Sequence, residues 1–315
     1  SEDVHSLSRC LVVVDEQHRF GVHQRMQLQA KGEEQADVLV MTATPIPRTL
    51  ALTAYGDMDV SRLTGRLPGR KTVETRVLSD ARLDEVVAHL RRALAAGARA
   101  YWVCPLVEES GKIDLAAAEE RAVMLRGAFG AGVGLVHGRM KGAERDAAMA
   151  AFQKGETRIL VATTVIEVGV DVPEATIMVV EHAERFGLAQ LHQLRGRVGR
   201  GTGKSSCLLL YHGPLGESAK ERLKTMRESD DGFVIAEKDL ELRGPGEMLG
   251  RRQSGIEEFR MADPVAHREL LAAAHDDARL VLARDPDLKS PRGRALRVLL
   301  YLFGRDEAVR YLRTG

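Results

Sequence analysis

A chain of 315 residues is long enough for about two domains. Its 46 basic and 45 acidic side chains leave a net charge of +1, so bulk charge favours no partner, and any nucleic-acid contact must come from local patches. No apolar run approaches the ~20 residues that cross a bilayer, and the three cysteines, Cys10, Cys104 and Cys207, share no pairing or metal spacing. The expectation is a soluble, cytoplasmic chain without signal peptide or membrane partner, its thiols buried.

In chain order, short β-branched runs alternate with Ala/Leu-rich amphipathic stretches. The first strand candidate, 11–14 (LVVV), ends in Asp15-Glu16; the second, 38–41 (VLVM), ends in "TATP" at 42–45. The polar stretch "TGRLPGRKT", 64–72, carries Pro and two Gly and reads as an interdomain linker. A helix is predicted over 81–96, strands over 99–103 and 133–136, a helix over 141–152, then strands over 158–162, 176–180 and 206–211. Continuous apolar strands separated by helices predict a parallel sheet covered on both faces. From 216 onward only helical periodicity remains, broken at 243–246 (RGPG), where Pro245 cannot continue a helix and a helical hairpin is expected. The tail 284–313, with eight Arg/Lys against four Asp/Glu, reads as a solvated helix face. The expected order is an incomplete α/β unit (1–65), a complete one (66–215), a hairpin and loop (216–262) and C-terminal helices (263–315).

Open α/β sheets bind ligands at the carboxyl ends of their strands, so Asp15-Glu16 and TATP point to one rim. In nucleoside triphosphatases an aspartate so placed holds Mg²⁺, and its neighbouring glutamate orients the attacking water. The hydroxyls of Thr42 and Thr44 are suited to relay the state of the phosphate. In the second unit, "VATTVIEVGVDVP" (161–173) begins as a strand and turns at Gly169, and "QLRGRVGR" (193–200) follows. Arg197 and Arg200, three residues apart and each preceded by glycine, suit one anion, because the planar, permanently charged guanidinium matches a γ-phosphate. The plainer reading is a basic helix face and a loop, which the repeated Gly-Arg argues against. "VGRGTGKSS" (198–206) imitates a phosphate loop, but Val198 stands where the first glycine is required and an apolar strand-like run follows the lysine. The histidines suggest no metal site: His137 closes a strand, and His182, His192 and His212 lack ligand spacing. His18 alone belongs to the nucleotide rim.

Together these residues resemble a superfamily-2 helicase motor. Asp15-Glu16-Gln17-His18 matches its second motif, Thr42-Ala43-Thr44 its third, 161–173 its fifth, and Gln193, Gly196, Arg197, Gly199 and Arg200 its sixth. The stretches "VVDEQHRFGVHQR", "VLVMTATPIPRTLALTAYGDMDVS" and "ERFGLAQLHQLRGRVGRG" narrow the resemblance to the RecG family, bacterial ATP-dependent DNA helicases that remodel stalled forks and branched DNA. Residues 231–255 are similar to the translocation module which that family shares with transcription-repair coupling factors.

The resemblance implies RecA-like parallel-sheet lobes, the first incomplete and the second complete, followed by a helical region with a hairpin. It implies ATP and Mg²⁺, with Asp15 as the metal residue acting through water, and Gly169, Asp171 and Gln193 beside the nucleotide. Glu16 would activate water, and Arg197 and Arg200 would be arginine fingers. His18, Thr42 and Thr44 would couple hydrolysis to DNA contact, while Arg243 and Gln253 would couple the hairpin to domain closure. The implied partners are forked or branched double-stranded DNA, gripped through its phosphates in a salt-sensitive way, and a single-stranded DNA-binding protein; the chain itself would be a monomer. The family's phosphate loop and fork-binding wedge precede the second motif and are not in these 315 residues. The expectation is therefore the C-terminal part of such a protein, inactive as an ATPase by itself. The alternatives are the motor of a transcription-repair coupling factor and a non-catalytic nucleic-acid-binding module.

Overall fold

The computed structural model describes residues 11–15, 37–42, 60–63, 71–105, 113–163, 172–201, 203–243 and 266–303. The chain divides into two units, one of residues 1–46 and 62–243, the other of 47–61 and 244–315.

In the first unit, β1 (Leu11–Asp15) and β2 (Asp37–Met41) pair in parallel, with Asp15 opposite Met41. Val14 is buried, whereas Leu11, Val13, Leu39 and Met41 are exposed. Parallel strands are ordinarily covered on both faces, so this pair keeps an open apolar face.

The main sheet has six strands: β3 (Val73–Ser79), β4 (Arg99–Val103), β5 (Val133–Val136), β6 (Ile159–Ala162), β7 (Ala175–Val180) and β8 (Ser205–Tyr211). Their order is β3-β8-β7-β4-β6-β5, and every pairing is parallel. Successive strand residues face opposite sides, and both sides are packed. On one side Tyr101, Val103, Leu160, Met178, Val180 and Leu209 meet Phe152 of α3 (Gly142–Lys154) and Leu188, Leu191 and Leu194 of α4 (Leu188–Gly196). On the other side Trp102, Ile159, Val161, Val179 and Leu210 meet Val86, Leu90 and Leu94 of α1 (Leu83–Ala95) and Ala118, Ala122 and Leu125 of α2 (Ile113–Phe129). The four-residue spacing of Val86, Leu90 and Leu94 is the helical repeat that lays one stripe on the sheet. Truncating fully buried Leu90 to alanine would cost about 2–5 kcal/mol.

β3 is a strand that apolar runs do not mark. Glu74 and Arg76 alternate with Val73, Thr75 and Val77, and the charged pair bonds to itself on the exposed face (Arg76 Nε to Glu74 Oε1, 2.8 Å). At the far end of β7, the Glu181 carboxylate accepts from the indole N–H of Trp102 and from Arg121 (Nη2 to Oε2, 2.8 Å). That guanidinium lies 5.8 Å from the Trp102 ring centre.

Helices α5 (Glu217–Glu228) and α6 (Gly232–Arg243) pack on each other and on α4. Their link is Ser229-Asp230-Asp231, where Asp231 Oδ1 accepts from Phe233 N (2.8 Å) and so caps α6. α6 is described to Arg243, and the break expected at 243–246 lies outside the described residues from 244 onward.

In the second unit the described helices are α7 (Arg268–Arg284) and α8 (Pro291–Leu302). Ser290 Oγ accepts from Gly293 N (2.9 Å), and proline takes the first helical position of α8, where its missing N–H costs nothing. No helix among the described residues is long and apolar enough to cross a membrane.

Candidate functional site

Asp15 closes β1 opposite Met41, and Thr42 follows Met41 directly. Asp15 and Thr42 therefore reach one rim, at the carboxyl ends of neighbouring parallel strands, where open sheets bind ligands. Thr42 is half-buried. The Asp15 side chain, Glu16, His18 and Thr44 lie outside the described residues.

The larger sheet has its own carboxyl rim. Val103 stands opposite Ala162 on one side and Val180 on the other, so Cys104, Thr163 and Glu181 emerge at one level. Thr163, after β6, is 2% exposed, and its Oγ1 has no hydrogen-bond partner among the described residues. His137, after β5, holds an equally buried and unpartnered Nδ1. The two strands run in register to Val136 and Ala162, and Thr163 N donates to Val136 O (3.3 Å). Leaving such atoms unpaired costs about 1–3 kcal/mol each. Sequence reading passed over both as site residues, although each directly follows an apolar run at a strand's carboxyl end. Gly169 and Asp171, further along the chain, lie outside the described residues.

The sixth motif occupies α4 and its exit. The connector from β7 is pinned at several points. His182 takes the left-handed region (φ 47°) and places Nδ1 3.1 Å from Glu184 Oε1. Glu184 Oε2 accepts from His212 N (3.3 Å), and Arg222 Nη2 donates to Glu184 O (2.7 Å). Gln193 and Arg197 are half-buried, and exposed Arg200 turns its Nε back to Gly196 O (3.2 Å). Gly199 is required twice over. Its φ is 77°, and a Cβ there would stand 2.7 Å from Val73 Cγ2 of β3. The Gly-Arg repeat thus brings Gln193, Arg197 and Arg200 to one helix end. Lys204, the lysine of the phosphate-loop imitation, directly precedes β8, so no helix N-terminus is available to hold a phosphate.

The start of α4 has a second neighbour. Arg243, the last residue of α6, bonds from Nε to Asp239 Oδ1 (3.1 Å), and its guanidinium lies against Gly187, the residue before α4. Asp239 is buried, so this pairing neutralises a carboxylate that would otherwise be unmatched. Gln253, its expected companion, lies outside the described residues.

At the ends of β3 and β8, His212 Nδ1 lies 2.6 Å from Asp80 Oδ2. The hydrogen bond and charge of Asp80 raise the imidazole above its ordinary value, and the same hydrogen bond holds the Asp80 carboxyl below its own. Burial pushes the Cys207 thiol up to about 12 and the Cys104 thiol well above its usual value, with Glu181's charge adding to the latter.

Residues 83–202 match the helicase conserved C-terminal domain, and residues 229–301 match the C-terminal part of domain 3 of the ATP-dependent DNA helicase RecG. The ATP-dependent DNA helicase RecG of Acidithiobacillus ferridurans is 58% identical over 278 residues, covering 88% of this chain and 40% of that protein. The chain belongs to the RecG family. RecG of Escherichia coli strain K12 is 52% identical over 290 residues, covering 90% of the chain and 42% of that protein. The chain thus spans about two fifths of the length of these curated relatives. A solved structure of RecG bound to a three-way DNA junction superposes with a TM-score of 0.64 at 44% identity, over 86% of this chain and 34% of that one. The fold is the RecA-like α/β architecture of helicases, followed by helices. Its RecG-specific match begins at residue 229, in the α5–α6 link, and runs through α8.

Proposed function

We propose that the chain is the motor portion of an ATP-dependent double-stranded DNA translocase that remodels stalled replication forks and branched DNA. The observation that carries this reading is the packing of α4, the helix of the paired arginines, against a helical pair at which the RecG-specific match begins. The RecG neighbour's bound three-way junction supports branched DNA as the partner.

In this reading Arg197 and Arg200 stabilise charge on the γ-phosphate as it transfers, and Gln193, Gly169 and Asp171 position the nucleotide. Asp15 closes β1 at the β1–β2 rim, and aspartate is the kind of hard oxygen donor that a divalent cation takes, so its residue type fits Mg²⁺. When bound, Mg²⁺ supplies neutralisation of phosphate charge. Glu16 orients water, and His18, Thr42 and Thr44 carry the state of that rim to DNA. The second lobe grips DNA phosphates through backbone amides and basic side chains. Such contacts are independent of sequence and weaken with salt. Arg243 and Gln253 tie the helical region to closure of the lobes. The division into 1–65, 66–215, 216–262 and 263–315 belongs to the same proposal, as do a cytoplasmic location, a monomeric state and contact with a single-stranded DNA-binding protein.

The test is Arg200→Ala in an ATPase-competent polypeptide containing this sequence. Loss of an arginine finger should lower kcat by roughly 10³-fold while DNA binding persists. Loss of DNA binding with ATPase retained would make Arg200 a DNA contact and sink the assignment.

A further inference from the structure

Between Gln193 and Arg197, the sixth motif leaves position 195 open to any residue. Here it is an arginine whose side chain is only 5% exposed. Its Nη1 donates to the carbonyl oxygens of Met226 and Ser229, each at 2.8 Å, and lies 3.3 Å from Asp230 Oδ1. Its Nη2 lies 3.0 Å from His192 Nδ1. A guanidinium can only donate, so that imidazole nitrogen must be the acceptor.

The Met226 and Ser229 carbonyls sit at the C-terminal end of α5, where the helix itself supplies no donors. Arg195 thus caps α5, pairs with the link to α6 and remains part of α4. Two residues after it comes Arg197, and five after it Arg200. At the other end of α4 the Arg243–Asp239 pair abuts Gly187. The helical pair therefore abuts α4 at Gly187 and is bonded to it through Arg195, and the bonded end is the one that carries Arg197 and Arg200.

We infer that Arg195 is a positioning residue that fastens α4 to the α5–α6 link, so that a displacement of Arg197 and Arg200 is delivered to the helical pair as one rigid movement. This rests on the helicase reading proposed above. Geometry makes the residue type matter. A lysine ammonium is a single point, and it cannot serve Ser229, Met226 and His192 from two separate nitrogens. Arg195→Lys therefore keeps the charge beside Asp230 and loosens the grip.

The experiment compares wild type with Arg195→Lys in an ATPase-competent polypeptide containing this sequence, reading DNA-stimulated ATPase, unwinding of a forked duplex, and amide hydrogen exchange over 227–231. The expected result is an unchanged KM for ATP, at least half the ATPase, and unwinding per ATP reduced roughly tenfold, within the 5–150-fold range of couplings between sites. Exchange over 227–231 should accelerate while the strand amides stay protected. A purely structural arginine would lower ATPase and unwinding together, in step with the melting temperature, and that result overturns the coupling role. Unaltered unwinding per ATP in a folded variant also overturns it. A wild-type protein that hydrolyses ATP on DNA yet unwinds no fork would refute the helicase reading instead. Exchange then decides the grip alone, and unaltered rates over 227–231 would refute that too.

Discussion

The guanidinium of Arg243 occupies the space that a side chain on Gly187 would need. A methyl at 187 and the present position of Arg243 are therefore mutually exclusive, and the arginine, as the flexible partner, is the one to move. Gly187→Ala should cost only about 1 kcal/mol of stability, mostly for alanine at a helix N-cap. Arg243→Ala should cost about 2 kcal/mol, because it strands the buried Asp239 carboxylate. Urea midpoints check both. Equal costs would mean that the Arg243–Asp239 bond contributes nothing.

Gly199→Ala carries two separable penalties. The left-handed backbone costs an alanine about 1–2 kcal/mol, and the approach to Val73 adds about 1 kcal/mol of overpacking. Adding Val73→Ala should recover the second part and leave the first. A double-mutant cycle by denaturant unfolding measures the split; strict additivity of the two substitutions would rule out the steric contact.

The His212–Asp80 pair sets a pH window. His212 titrates above its ordinary 6.5 in the folded state, so its contribution is complete below 6.5 and lost as pH rises through the folded value. Asp80 titrates below its ordinary 3.8, so its contribution holds above 3.8 and is lost as pH falls further. The melting temperature of wild type should exceed that of His212→Gln most between these two values and converge with it in alkaline buffer. Glu184 adds to the rise and Arg185 opposes it. A difference that grows towards alkaline pH would contradict the pairing.

Cys104 and Cys207 should resist disulfide reagents at pH 8, because the reactive thiolate is suppressed by burial. In a Cys10→Ser background, both should react only on unfolding. Rapid labelling of the folded protein would show that the sheet opens more readily than its packing implies.

A polypeptide limited to these 315 residues should show no DNA-stimulated ATPase. The only lysine in a phosphate-loop-like setting, Lys204, leads into β8 rather than a helix. Turnover by the purified polypeptide that disappears in Lys204→Ala would reverse this.

Much of the fold was legible because strands buried on both faces read as unbroken apolar runs; YWV, ILVA and CLLL stand out at once. β3 was not, since an edge strand with Glu74 and Arg76 on its open face lacks that signature. The Gly-Arg repeat was legible as an anion motif, yet the reason for Gly199 lies in Val73, far away in sequence. Arg195 and Met226 are 31 residues apart, and Asp80 and His212 are 132 apart. Such pairings arise only from chain topology, and no local pattern encodes them.

Trp102 is the only tryptophan in the chain, and its indole N–H is bonded to Glu181, the first residue beyond β7 on the way to α4. The molecule thus carries an intrinsic optical probe at the base of its arginine helix. Its emission should be that of a dry indole beside a carboxylate and a guanidinium, and any movement of the β7 exit changes the field that those charges impose on the ring. Titrating nucleotide or forked DNA while following this one fluorophore would report that movement in an unlabelled, unmutated protein.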